Sequence, residues 1–490
     1  MSRAAQQAAL EAQAARWIDQ LLAGRPYDPP PGPQAQRVLA WIETSLLPRL
    51  RQTPDEIRNL LAGLDGCYVP SGPAGAPTRG RPEVLPTGRN FYSVDMRAIP
   101  TETAWDLGRR AAEVFVERYT QDHGDYPRTL ALSVWGTATM RTGGDDIAEA
   151  LALLGVQPVW EGPARRVVDF EILPVTVLGR PRVDVTLRIS GFFRDAFPHL
   201  IDLFDQAVQA VADLAEAPDL NPLAQQVTQE TQAGLTQGHS PDQAQREATL
   251  RVFGSKPGAY GAGLQGLIEA QNWETDQDLA RAYLNWSSYA YGRGVDGRPA
   301  PEAFQRRLTD LDVVLHNQDN REHDLLDSDD YYQFQGGLAV AVRALTGANP
   351  HLYFGDHSQV SNLKVHTLGQ ELRRVYRSRV INPKWIAAMQ GHGYKGAFEL
   401  AATVDYLFAY DVTSHCGAGF MYEGVAQAYL FDPVVRAFVQ QNNPWALRDM
   451  AERLLEAHQR QRWPEADPEL LHALRELVLH AEAEIETRTV

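Results

Sequence analysis

Between residues 129 and 214, apolar, β-rich runs are interleaved with segments of helical periodicity, and this pattern constrains the architecture more than any other feature of the chain. TLALSVW (129–135) reads as a buried strand, VDVTLRI (183–189) as a second, and VQPVW (156–160) and VVDFEIL (167–173) as shorter ones. Between them, GGDDIAEALALLG (143–155) reads as a helix, with Asp145 and Asp146 at the positive end of its dipole and Gly155 as its stop. Another helix starts after Pro100, capped by Thr101 or Thr103, and FFRDAFPHLIDLFDQAVQAVADL (192–214) reads as one long amphipathic helix. Such an order calls for a parallel sheet covered on both faces. Ligands of such sheets bind beyond the carboxyl ends of the strands, which points to WGTATMRTGGDD (135–146) and SGFFRD (190–195).

The fold expected is therefore α/β plus mostly α, a parallel sheet domain followed by a larger helical domain. Residues 1–80 form a helical N-terminal segment, broken by RPYDPPPGP (25–33) and running into the Pro/Gly-rich loop VPSGPAGAPTRGRPEVLP (69–86). Residues 81–220 form the α/β domain, and 221–490 a mostly helical domain that closes with a charged helix (467–488).

Charge narrows the function. Lys plus Arg total 46 and Asp plus Glu 62, a net charge of −16, which disfavours nucleic acid and anionic membrane surfaces as partners. The two cysteines, Cys67 and Cys416, make no disulfide framework and read as buried thiols in a reducing compartment. No apolar run approaches the roughly 18 residues of a membrane span, and MSRAAQQAALEAQAARW carries no secretory pattern, so a cytoplasmic location is expected. There is no GxxxxGK[ST] phosphate loop. GAGLQG (261–266) matches GxGxxG formally, but no strand is read before it, and it is taken as a flexible hinge or lid.

The most unusual stretch is NQDNREHDLLDSDDYYQF (317–334), with Asp319, Glu322, His323 and Asp324 among its acidic and imidazole groups. Such a set can collect a divalent cation, move protons, or simply form a solvated acidic turn. The aromatic YYQF beside it favours a pocket wall. GDHS (355–358) offers Asp356 and His357 on a turn, and HGYKGAFE (392–399) offers His392, Lys395 and Glu399. A metal-handling site requires His323, His357 and His392 to converge.

LPTGRNFYSVDMRAIPT (85–101), SVWGTATMRTGGDDIAEALALLGVQPVW (133–160), LGRPRVDVTLRISGFFRDAFPHLI (178–201) and RVFGSKPGAYGAGLQ (251–265) together resemble one family, as do the acidic stretch and the HGYKGAFE run. It is the CobN/magnesium chelatase family, the large tetrapyrrole-binding subunits of cobaltochelatase and magnesium chelatase. The resemblance covers about residues 35–465 and only the C-terminal part of those larger subunits. NREHDLLDSDDYYQF and HGYKGAFE are similar to the cobalt branch.

The resemblance implies a subunit that binds a corrin precursor, hydrogenobyrinic acid a,c-diamide, for insertion of Co2+ in cobalamin biosynthesis. It implies AAA+ partner subunits that hydrolyse ATP with Mg2+, and the rest of the large subunit as a further partner. On that reading Glu322, His323, His392 and Glu399 serve in catalysis. Asp319, His323, Asp324, Asp356 and His357 handle the metal. Arg89, Asn90, Tyr92, Arg141 and Lys395 meet the groups on the rim of the ring. A non-catalytic piece that binds tetrapyrrole or docks the AAA+ partners, and a magnesium chelatase large subunit, are the alternatives.

Overall fold

The computed structural model describes residues 3–79, 81–92, 94–162 and 165–489, without the side chains of residues 3–8, 11, 79, 91, 92 and 489. The chain divides into two compact units, Met1–Met96 with Met140–Thr142, and Arg97–Thr139 with Gly143–Val490.

The first unit is built from the helix Arg3–Leu22, a helical run from Pro33 to Leu50 and the helix Asp55–Leu64, with the expected break at residues 25–33 between the first two. Trp17 Nε1 donates to Pro29 O across 2.6 Å and ties the first helix to the proline-rich turn. Ser71–Pro73 of the long loop forms a short parallel ladder with Asn90–Tyr92, which follows the loop. Cys67 is exposed, not a buried thiol, and Cys416 is half-buried.

The second unit is organised by one eight-stranded sheet. Its strands are β1 (Thr129–Val134), β2 (Asp184–Ile189), β3 (Val252–Gly254), β4 (Tyr289–Gly292), β5 (Val295–Pro299), β6 (Val313–Gln318), β7 (His351–Asp356) and β8 (Lys364–Thr367). The order across the sheet is β8-β7-β6-β1-β2-β3-β4-β5. β7, β6, β1, β2 and β3 run parallel, and antiparallel strands finish both edges. Six of the eight strands follow residue 220, so the sheet runs through the region expected to be mostly helical. Their signals were short or polar: Val252–Gly254 is three residues long, and β6 ends in His-Asn-Gln. The GAGLQG run follows β3, and two arginines pin the loop leading into it. Arg194 donates to the carbonyls of Lys256 (2.8 Å) and Ala259 (3.0 Å), and Arg188 to that of Gly261 (3.3 Å).

The candidates at 156–160 and 167–173 are strands, but they pair with each other as an antiparallel hairpin outside the main sheet. The expected helix 192–214 breaks into Gly191–Ala196 and Pro198–Ala212. Pro198 has no N–H to continue the first helix, and Phe197 before it leaves the helical region, at φ −130° and ψ 47°.

Alternation of side chains gives the sheet two faces. Helix α1 (Glu102–His123) begins at the Thr101 cap, and α2 (Asp145–Leu154), buried throughout, packs along it on one face. Ala131, Val314, Leu352 and Phe354 on the other face join the apolar core of a helical assembly that includes α3 (Gly393–Ser414) and α4 (Pro444–Gln459). Among the described residues no helix is long and apolar enough to cross a membrane.

Candidate metal centre

Two glycines start α2. Gly143 and Gly144 have φ of +81° and +101°, and a Cβ at 144 would sit 2.6 Å from Ile99 Cγ2, so this turn requires glycine. The turn aims the first turn of α2 across the carboxyl ends of the parallel strands. Asp146 and Glu149 lie three residues apart on one helix face. Gly108 lets α1 approach there: a Cβ at 108 would lie 2.5 Å from the Glu149 amide nitrogen.

The third contributor arrives from β7. The His357 amide donates to Gln318 O at 2.9 Å, extending the β6–β7 ladder by one bond beyond the strand. Gly355 leaves the space that the site needs, since a Cβ there would collide with Asn317 Oδ1 and stand 3.1 Å from His357 Nε2. One ligand atom each of Asp146, Glu149 and His357 falls within 4.8 Å of the others, and these residues are 7%, 1% and 2% exposed. His357 Nε2 is 3.9 Å from Glu149 Oε2. Asn317, from β6, donates through Nδ2 to Asp146 Oδ1 (3.0 Å) and Glu149 Oε2 (2.6 Å).

Burial pushes the Glu149 carboxyl up to about 8, with the Asp146 and Asp145 charges adding to the effect and the Asn317 hydrogen bond opposing it. Burial therefore favours the protonated form of Glu149 while no cation is bound. A divalent ion entering the cluster would displace that proton and meet two carboxylates and an imidazole, a donor set suited to Co2+, Zn2+ and their neighbours.

On the opposite face of the sheet, one residue before Asn317, His316 is buried among aromatic rings. Its ring centroid is 5.1 Å from that of Tyr331, 6.1 Å from Phe354 and 6.2 Å from Trp135. Neither ring nitrogen has a hydrogen-bond partner among the described residues. Burial, then the neighbouring His357, pushes its pKa down to about 3, so this imidazole is neutral.

Of the residues expected to hold the metal, His357 belongs to this cluster. Asp356 next to it accepts from Arg321 and, at 2.6 Å, from Ser358 Oγ. Burial would raise its carboxyl, but these bonds bring it below the ordinary range. Asp324 is gripped by both ends of the Arg379 guanidinium, at 2.6 and 2.8 Å. Asp319 accepts from Asn320 Nδ2 at 3.3 Å. Glu322 and His323 are exposed, and the His323 carbonyl accepts from Gln318 Nε2 at 2.8 Å. His392 is exposed just before α3, where Lys395 and Glu399 pair with each other at 2.6 Å. His323 and His392 therefore do not join His357 in the cluster.

Arg89, Asn90 and Arg141 belong to the first unit, and the side chain of Tyr92 lies outside the described residues. Arg89 and Asn90 are exposed. The Arg89 side chain runs against Gly72, and the Arg141 carbonyl accepts from the Ala76 amide at 3.2 Å.

Asp146, Glu149 and Asn317 were not among the residues singled out from the sequence. The carboxyl-end rule pointed to the stretch holding Asp146, but the first-turn carboxylates of α2 read equally well as dipole partners.

A family model described as CobN/Magnesium Chelatase matches residues 1–470. The chain is 59% identical over 477 residues to the aerobic cobaltochelatase subunit CobN of Pseudomonas aeruginosa, covering 97% of this chain and 38% of that one. To the subunit of the same name from Sinorhizobium sp it is 53% identical over 427 residues, covering 87% and 33%. The solved catalytic subunit of cobaltochelatase from Mycobacterium tuberculosis is similar with a TM-score of 0.83 and 51% identity, over 92% of this chain and 38% of that one. The chain thus spans well under half the length of these relatives.

Proposed function

Because the chain belongs to the CobN/magnesium chelatase family, we propose that it forms the metal-handling part of the tetrapyrrole-binding subunit of a cobaltochelatase. On this reading Co2+ is a substrate, delivered into hydrogenobyrinic acid a,c-diamide in cobalamin biosynthesis. AAA+ partner subunits hydrolyse ATP, and the portion of the large subunit outside this chain helps to enclose the ring.

The observation that carries the reading is the buried Asp146–Glu149–His357 cluster at the carboxyl ends of the parallel strands. Metal insertion requires a cation stripped of part of its water and acceptors for the two protons leaving the ring. Two carboxylates in a closed site supply charge to a dehydrated cation. Glu149, whose proton affinity is raised, exchanges a proton for the metal, and Asn317 holds both carboxylates in place. The imidazole supports cobalt over magnesium, because Mg2+ prefers oxygen ligands and keeps its waters.

The test is titration of the purified chain with Co2+, followed by visible absorption and calorimetry. One ion should bind, and Glu149→Gln and His357→Ala should each weaken it roughly tenfold or more, with Mg2+ a poor competitor. Unchanged affinity in both variants would remove the cluster from the reaction. Reconstitution with the remaining large-subunit portion and AAA+ subunits should then give ATP-dependent insertion into the corrin precursor.

A further inference from the structure

Two runs singled out in the sequence, YYQF and HGYKGAFE, come together away from the metal cluster, around a cavity of about 320 Å³. It opens between α3 and α4, and Tyr332, Tyr394, Phe398, Tyr406 and Trp445 line it. Tyr394, Phe398 and Trp445 remain 60%, 47% and 41% exposed. Large aromatic groups left in solvent around a concavity are what a protein interface buries at its centre.

The polar lining is acidic: Glu269, Asp405 and Asp449 face one arginine, Arg453. Arg453 is already committed, to Asp405 at 2.7 Å and to Glu456, with its guanidinium 4.8 Å from the Phe408 ring centre. Asp449 pairs with Arg448 at 2.8 Å. Glu269 accepts from the Gln265 amide at 2.9 Å, and no cation pairs with it among the described residues. Lys395, the remaining nearby cation, is spent on Glu399 and on the Phe398 ring, 4.6 Å from its centroid.

We propose that this cavity receives an arginine side chain presented by a partner protein. A guanidinium stacks flat on tyrosine and tryptophan faces while its N–H fork reaches carboxylates, and both elements line the same cavity here. The acidic lining disfavours an anionic occupant, including the carboxylate-bearing edge of a tetrapyrrole. This reading is independent of the cluster on the far side of the sheet, and His357→Ala should leave it untouched.

The test uses the full chain labelled with 5-fluorotryptophan. The Trp445 resonance is assigned by its loss in Trp445→Phe. N-acetylarginine methylamide should move that resonance saturably, with a dissociation constant of about 1 mM. The citrulline analogue, equal in shape but neutral, should not move it. Glu269→Gln, on the exposed rim, should weaken the arginine probe about threefold. N-acetylarginine, whose free carboxylate meets the acidic lining with no ammonium to offset it, should bind more weakly than the amide. The proposal is overturned if citrulline shifts Trp445 as arginine does, if the arginine amide leaves it unmoved, or if Glu269→Gln leaves binding equal or tighter. N-acetylarginine binding as well as or better than the amide would show that the pocket accepts a free carboxylate beside the guanidinium and would overturn the protein-borne arginine.

Discussion

Asn317 and Glu149, 168 residues apart in the chain, meet across a 2.6 Å hydrogen bond inside the second unit. The same amide group reaches Asp146 at 3.0 Å, so one side chain from β6 sets the spacing of two carboxylates on α2. Replacing Asn317 with Ala strips both carboxylates of this donor. Stability should fall by about 1–3 kcal/mol, and Co2+ affinity should fall with it. Chemical denaturation and cobalt titration of the same variant measure the two effects, and an unchanged cobalt affinity would show that Asn317 does not organise the site.

Gly108 is the second support of Glu149. A methyl group there would stand 2.5 Å from the Glu149 amide and 2.6 Å from the Ala148 Cβ, and backbone on that side has no room to yield. Gly108→Ala should push α1 from α2 and cost about 1–3 kcal/mol, despite the better helix propensity of alanine. Thermal melting reads the cost. A variant as stable as the parent would mean that the two helices separate freely at this point.

Acid should act through His316. Its folded pKa of about 3 lies below the ordinary value of 6.5. Above pH 6.5 the imidazole is neutral in folded and unfolded chains alike. As the pH falls from 6.5 towards 3, the unfolded chain takes up a proton that the folded one refuses, and stability is lost. His316→Leu removes this dependence and two unpartnered polar atoms. Stability at pH 7 should rise by about 1–3 kcal/mol, with a shallower decline over that window. Melting curves at several pH values decide it, and parallel declines in both proteins would sink the assignment.

Asp324 is tied to Arg379 by two charge-assisted bonds, and Arg379 also reaches Asp327 at 3.3 Å. The pair joins the acidic segment to the helical assembly. Arg379→Ala leaves two partly buried carboxylates without their cation. The expected loss is about 2 kcal/mol, less than the roughly 3–5 kcal/mol of a fully buried pair, because water reaches these groups. Asp324→Asn should leave Co2+ affinity within a factor of about two, as expected of a residue whose lone pairs are spent on arginine. A tenfold loss in that variant would return Asp324 to the metal.

What the sequence determined by itself was local. The strands at 129, 184 and 156–172, the Thr101 cap, the Gly155 stop and the breaks at Pro/Gly runs follow from periodicity and backbone chemistry within a few residues. The family was legible for a similar reason, since long runs of specific residues survive as text. Tertiary structure decided what depends on distant partners. Three- and four-residue strands such as Val252–Gly254 and Tyr289–Gly292 are stabilised by neighbours in the sheet and leave little period to read. The same holds for the site. His323 and His357 look equivalent as imidazoles beside carboxylates, but only the ladder bond to Gln318 and the gap at Gly355 carry His357 into the buried cluster. Asp324 and Asp146 look equivalent as acids, yet an arginine 55 residues away neutralises the first. The second sits beside Glu149, where one asparagine donates to both carboxylates. Burial and pairing set the chemistry of these side chains, and both are properties of the packed chain rather than of any segment of it.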